Sequence, residues 1–84
     1  MADFELIITP RVYKEADGIP KAQYKKIDQA ILKLPMNPFP PNCKKLAGSR
    51  NGYRLRVGDY RVLYSIEKNL ITVYHVSHRK DVYR

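Results

Sequence analysis

Residues 53–66 alternate with a period of two, and that pattern constrains the fold more than any other stretch of the chain. Tyr53, Leu55 and Val57 alternate with Arg54 and Arg56; Gly58-Asp59 follows; then Tyr60, Val62, Tyr64 and Ile66 alternate with Arg61, Leu63 and Ser65. Two alternating runs around a two-residue turn with glycine first define a β-hairpin. The turn also fixes the pairing, with Val57 opposite Tyr60, Arg56 opposite Arg61 and Arg54 opposite Leu63. Residues directly across a pair point to the same face. Arg54, Arg56 and Arg61 therefore share one face, and Leu55, Val57, Val62 and Tyr64 the other.

The remaining elements must cover that apolar face. Ile71–Val76, rich in β-branched residues, reads as a further strand after a second turn at Glu67–Leu70. Pairing Ile66 with Ile71 places Arg61 near Val76 and His75 beside Val62, on the helix-covered face as a packed histidine. Upstream, Phe4–Ile8 reads as an opening strand. Thr9 is placed to cap a short helix that begins at Pro10 and ends at Asp17-Gly18, with Gly18 suited to a left-handed position. Pro20 opens a second helix, in which Tyr24, Ile27, Ile31 and Leu34 recur at three- and four-residue steps, and Pro35 and Pro38 stop it. The stretch through Pro40, Pro41, Gly48 and Gly52 has no period and reads as a long loop. The expected architecture is a single α+β domain over residues 1–84: an N-terminal strand, a two-helix hairpin, then a three-stranded antiparallel meander, with both helices on one face.

Charge narrows the function. Lys and Arg number 16 against 8 Asp and Glu, a net charge of +8 in 84 residues. That excess favours a polyanionic partner through Coulomb attraction and counterion release. Two arginines directly opposite one another would weaken a sheet built only to fold, whereas guanidinium forks match phosphate oxygens in shape and charge. Arg56 and Arg61 thus point to an anion held between them, the plainer alternative being that both splay into solvent or reach carboxylates from elsewhere in the chain. The lysines of the second helix are a solubilising surface or, as a set, a track for a phosphate backbone.

Other chemistries lack their residues. Cys43 is the single cysteine and lies in the loop, so neither an intrachain disulfide nor a multi-cysteine zinc site is expected, and a cytoplasmic location fits. No metal-ligand spacing, phosphate-binding glycine loop or Ser/His/Asp arrangement is visible, so no cofactor is expected. The N-terminal residues do not resemble a signal peptide, and no apolar run is long enough to span a bilayer. His78, in the basic tail beside Arg79, is the better acid–base candidate of the two histidines.

These residues resemble a known family. Tyr53 to Tyr64 is similar to the central hairpin of the RelE/ParE toxin superfamily; His78-Arg79-Lys80-Asp81-Val82-Tyr83-Arg84 resembles its tail; Asn37-Pro38 and Lys44-Lys45-Leu46 resemble the loop before the hairpin. With the order of elements, the likeness covers nearly the whole chain and implies a RelE-like microbial ribonuclease fold. It further implies a toxin that enters the ribosomal A site and cleaves messenger RNA by attack of the ribose 2′-hydroxyl on the neighbouring phosphate, without a metal. By the resemblance, Arg54 and Arg56 match the family's basic pair, Arg61 the arginine on the scissile phosphate, Arg79 the tail arginine and Tyr83 the tail tyrosine. Lys44, Lys45, Arg50, Lys80 and Arg84 are expected to contact RNA around them. The family's best-understood member has lysines where this chain has Arg54 and Arg56. A guanidinium does not act as a base at accessible pH, so that role falls to Tyr83, to His78 or to the ribosome. The expected partners are a cognate antitoxin, the ribosome and messenger RNA, with no membrane and with DNA touched only through the antitoxin complex. The competing readings are a ParE-like inhibitor of DNA gyrase and a non-catalytic RNA- or ribosome-binding module.

Overall fold

In the computed structural model, which describes residues 4–81, the Gly58-Asp59 turn joins β3 (Gly52–Val57) to β4 (Tyr60–Glu67). The pairing is Val57 with Tyr60, Arg56 with Arg61, Leu55 with Val62 and Arg54 with Leu63. Gly58 has φ +58°, and a Cβ there would meet nothing within 4 Å. The turn therefore requires glycine for its backbone conformation, not for space.

The chain reverses again at Lys68-Asn69, with Lys68 at φ 55°, into β5 (Leu70–His78). Ile66 pairs with Ile71, as the sequence implies, but the register shifts between Leu63 and Tyr64. Tyr64 pairs with Val73 and Leu63 with His75, so Tyr74 is left over as a bulge. Beyond it every expected partner moves by one: Arg61 faces Ser77 instead of Val76, and Val62 faces Val76 instead of His75. The physical reason lies in the core. An unbroken ladder would have put His75 inside and turned Val76 out; the extra residue returns Val76 to the interior, where it is 3% exposed.

Two strands extend the meander. β1 (Glu5–Ile8) lies parallel to β5, from Glu5 opposite Leu70 to Ile8 opposite Val73. The stretch expected to be loop contains β2 (Cys43–Lys45), antiparallel to β3. The result is a five-stranded mixed sheet in the order β1-β5-β4-β3-β2. β1 and β5 can be parallel neighbours because the helices and the β2–β4 segment provide the long crossover that parallel strands need.

The helices are α1 (Pro10–Ala16) and α2 (Lys21–Lys33). Thr9 holds the N-cap position of α1, but its hydroxyl makes no capping bond; it is buried without a partner, while the Thr9 N–H donates to the Val73 carbonyl at 3.0 Å. Gly18 does not adopt the left-handed conformation, which among the described glycines belongs to Gly48 and Gly58. Pro20 precedes α2 as its N-cap instead of opening it. Ile27, Ile31 and Leu34 on α2 and Val12 on α1 meet Leu55, Val62, Tyr64, Ile71, Val73 and Val76 in one core. Each such side chain contributes roughly 1.5–3 kcal/mol relative to exposure. Among the described residues, no helix is long and apolar enough to cross a membrane.

Candidate phosphate-binding site

The core sets the position of the loop that borders the arginines. The Tyr64 hydroxyl is buried and donates to the Pro38 carbonyl at 2.8 Å. Tyr53 stacks on Tyr64 at 5.7 Å between centroids, and Phe39 meets Tyr53 edge-on at 5.3 Å. Burial pushes the Tyr64 hydroxyl far above its ordinary value, with Cys43 and then Tyr53 adding to the effect. It therefore remains a protonated donor, and the segment ahead of β2 is tied to the centre of the sheet.

Asn42 completes the join. Its carbonyl accepts from the Arg56 N–H at 3.2 Å, and its side-chain amide donates to the Arg56 carbonyl. This exchange continues the β2–β3 ladder by one residue and holds the loop against Arg56. Nothing in the sequence distinguishes Asn42 from any other polar loop residue, so its role was not foreseen.

The product is a cavity of 340 Å³ lined by Pro41, Asn42, Cys43 and Lys44 on the loop side and by Arg54, Arg56 and Arg61 on the hairpin side. Lys44 lies opposite Arg54, and Arg56 opposite Arg61. Arg61 is only 8% exposed, Arg54 is half-buried, and Arg56 is open to solvent. Three arginines and a lysine lining one concavity provide guanidinium forks and a positive field suited to a phosphodiester. The partial burial of Arg61 strengthens its interaction with an anion relative to an exposed pair.

The other expected site residues fall elsewhere. Arg79 begins a 3₁₀ turn (Arg79–Asp81) that closes on the hairpin tip: its N–H donates to the Asp59 carbonyl at 2.7 Å, and its Nε lies 3.7 Å from Asp59 Oδ1. It stands at the same end of the sheet as Arg56 and Arg61 but does not line the cavity. His78 pairs with Tyr60, packs edge-on against that ring at 5.1 Å, and accepts from the Lys80 N–H at 3.2 Å. It borders a different cavity, of 370 Å³, together with Glu15, Gly18 and Ile19. Lys45, opposite Tyr53, is exposed on the outermost strand; Arg50 and Lys80 are exposed. Tyr83 and Arg84 lie outside the described residues.

Glu15 was not singled out in the sequence, yet it ties α1 to β5. Its Oε1 accepts from the Val76 N–H at 2.7 Å, and its Oε2 lies 2.5 Å from His75 Nδ1 and 3.1 Å from Arg11 Nε. β1 ends at Ile8, opposite Val73, so Glu15 supplies the acceptor that a longer neighbouring strand would have given Val76. Among the described residues no three His, Cys, Asp or Glu side chains gather as a metal-ligand set.

The structure defines the class as a small α+β scaffold with a cationic hollow on the sheet face opposite its helices, and the chain matches known proteins. The sequence profile of the ParE toxins of type II toxin–antitoxin systems covers residues 6–83. A RelE1 toxin of Methanocaldococcus jannaschii is 33% identical over 86 aligned residues, 96% of each chain. Among solved structures, the RelE–RelB complex of Pyrococcus horikoshii superposes with a TM-score of 0.81 at 29% identity, covering 98% of this chain and 100% of that one. The RelB–RelE antitoxin–toxin complex of Methanococcus jannaschii gives 0.79 at 26% identity, over 92% and 94%. The chain belongs to the RelE/ParE family of toxins of type II toxin–antitoxin systems.

Proposed function

We propose that this toxin is a ribosome-dependent endoribonuclease that cleaves messenger RNA in the A site. The observation that carries the reading is the facing pair Arg56–Arg61, joined by Arg54 and Lys44 around one cavity. In the proposed reaction the ribose 2′-hydroxyl attacks the adjacent phosphorus and gives up its proton. The bond to the 5′-oxygen of the next nucleotide breaks, and that oxygen takes a proton, leaving a 2′,3′-cyclic phosphate and a 5′-hydroxyl. The guanidinium groups bind the phosphate and stabilise the charge that builds on it, a contribution that needs positioning more than proton transfer. Tyr83 is the proposed proton acceptor. His78 is the weaker choice, because it borders the cavity beside α1 and not the one lined by the arginines. Lys44, Lys45, Arg50, Arg79, Lys80 and Arg84 are proposed to hold flanking RNA.

The proposed partners are a cognate antitoxin, the ribosome and its message, in the cytoplasm, with DNA reached only through the antitoxin complex. The relatives solved with RelB support the antitoxin. The matched profile is that of ParE toxins, which keeps inhibition of DNA gyrase as the second reading. Primer extension on ribosomes programmed with a defined message, run beside a gyrase supercoiling assay, separates the two. Cleavage with normal supercoiling supports the nuclease; intact message with inhibited gyrase overturns it.

A further inference from the structure

The register divides the sheet face opposite the helices into two halves. One cross-strand row runs Lys44, Arg54, Leu63, His75; the next runs Arg56, Arg61, Ser77; another runs Gly52, Ser65, Thr72, Ile7. Cations thus concentrate toward β2 and β3, while toward β4 and β5 the same face carries Leu63, Ser65, Thr72 and Ile7.

Tyr74 adds an aromatic ring to the uncharged half, since it follows Thr72 and Val73 in the alternation and so shares the face of Thr72. Val73 and Val76 both point into the core, at 0% and 3% exposure. The two residues between them, Tyr74 and His75, therefore both lie off the core side. The His75 ring is engaged by Glu15, and Tyr74 is half-buried. Leu63, directly across from His75, is also half-buried. Adjacent strands lie roughly 4.8 Å apart, so Leu63 stands one strand from Arg54 and Tyr74 about two. That is the distance from a phosphate to its own base.

We propose that Leu63 and Tyr74 form the seat for a nucleobase that flanks the phosphate held by Arg54, Arg56 and Arg61. The seat rests on the proposed RNA-cleaving function and adds base contact to phosphate contact: the arginines grip any backbone, and the Leu63–Tyr74 surface senses whether a base is stacked beside it. The aromatic ring provides the stacking and the leucine the apolar floor.

A double-mutant cycle between protein and RNA tests the seat. Ribosomes are programmed with messages whose nucleotides flanking the cut are made abasic, one at a time, and kcat/KM is measured for wild type, Tyr74→Ala and Tyr74→Phe. For one of the two positions, loss of the base costs the wild type about ten-fold. Tyr74→Ala costs about the same on intact message and nothing further on the abasic one, while Tyr74→Phe behaves as wild type. Additive losses at both positions, or a Tyr74→Phe defect equal to that of Tyr74→Ala, overturn the seat while leaving the nuclease standing. In parallel, a short single-stranded RNA carrying 2-aminopurine is titrated with free protein. Fluorescence quenching that Tyr74→Ala abolishes supports the seat even where no message is cut, which would by itself refute the nuclease; absence of quenching by wild type overturns the seat.

Discussion

Arg56 and Arg61 face each other directly across the β3–β4 hairpin, and Arg61 is the buried charged side chain among the described residues, outside the hydrophobic core. Like charges in that position weaken a sheet, and an anion bound between the two guanidinium groups would offset their repulsion. Arg61→Ala is expected to lower cleavage by at least about a hundred-fold, in line with the roughly 3–4 kcal/mol of a lost transition-state contact. Its circular dichroism spectrum should match that of wild type, since Arg61 lies outside the hydrophobic cluster. Arg61→Lys should recover only part of the rate, because an ammonium lacks the guanidinium fork. Full toxicity of well-expressed Arg61→Ala in growing cells would remove Arg61 from the site.

Tyr64→Phe deletes the hydroxyl that holds Pro38. The expected loss is about 1–2 kcal/mol in a denaturant titration, because a buried carbonyl is left without its donor. The same group links stability to pH. Its folded-state value is raised by burial, so its contribution is fully present below the unfolded value of about 10 and is lost as pH rises above it. Wild type should destabilise above pH about 10 more steeply than Tyr64→Phe. Parallel curves would mean that the hydroxyl titrates freely in the folded protein.

Glu15→Ala removes the acceptor for the Val76 N–H and the contact to His75. A cost of about 1–3 kcal/mol is expected, with faster amide exchange at Val76 than at Val73. Glu15→Gln keeps an oxygen for Val76 and should lose less. Equal exchange at both amides in Glu15→Ala would show that α1 and β5 are held together by packing alone.

How far the fold could be read in advance follows from which contacts are local. The Gly58-Asp59 turn fixed the β3–β4 register residue by residue, and with it the shared face of Arg54, Arg56 and Arg61. The parallel partner of β1 was not legible, because it depends on where a distant crossover returns. β2 was hidden because three residues, Cys43-Lys44-Lys45, are too few to display a period. The bulge left a trace in the alternation, since the unbroken ladder buries His75 and exposes Val76. That conflict between a histidine and a valine for one core position was the available signal. The bulge also carries His78 to Tyr60 and so to the cavity beside α1. Asn42 and Glu15 act on backbone groups, and no pattern of residue types reports such contacts.

The proton acceptor is expected to be Tyr83. Single-turnover cleavage should keep rising with pH above neutrality, and Tyr83→Phe should flatten the rise, whereas His78→Ala should leave it in place. A Tyr83→Phe enzyme with unchanged rate and pH dependence would assign the proton to water or to the ribosome.

A cognate antitoxin is expected to co-purify with the toxin and to suppress its toxicity on co-expression from the adjacent short reading frame. The +8 charge favours an acidic partner, so the association rate should fall as salt is raised. Co-expression without rescue and without co-purification would count against this pairing.

If the arginine hollow serves attack by the RNA's own 2′-hydroxyl, a single atom tests it. Ribosomes are programmed with two messages that differ only in one 2′-deoxy nucleotide on the 5′ side of the mapped cut, and cleavage is followed in a single turnover. The all-ribose message should be cut and the deoxy position should not, with both messages bound equally well. Cleavage of the deoxy message at the same site would contradict it, because the nucleophile would then have to come from elsewhere.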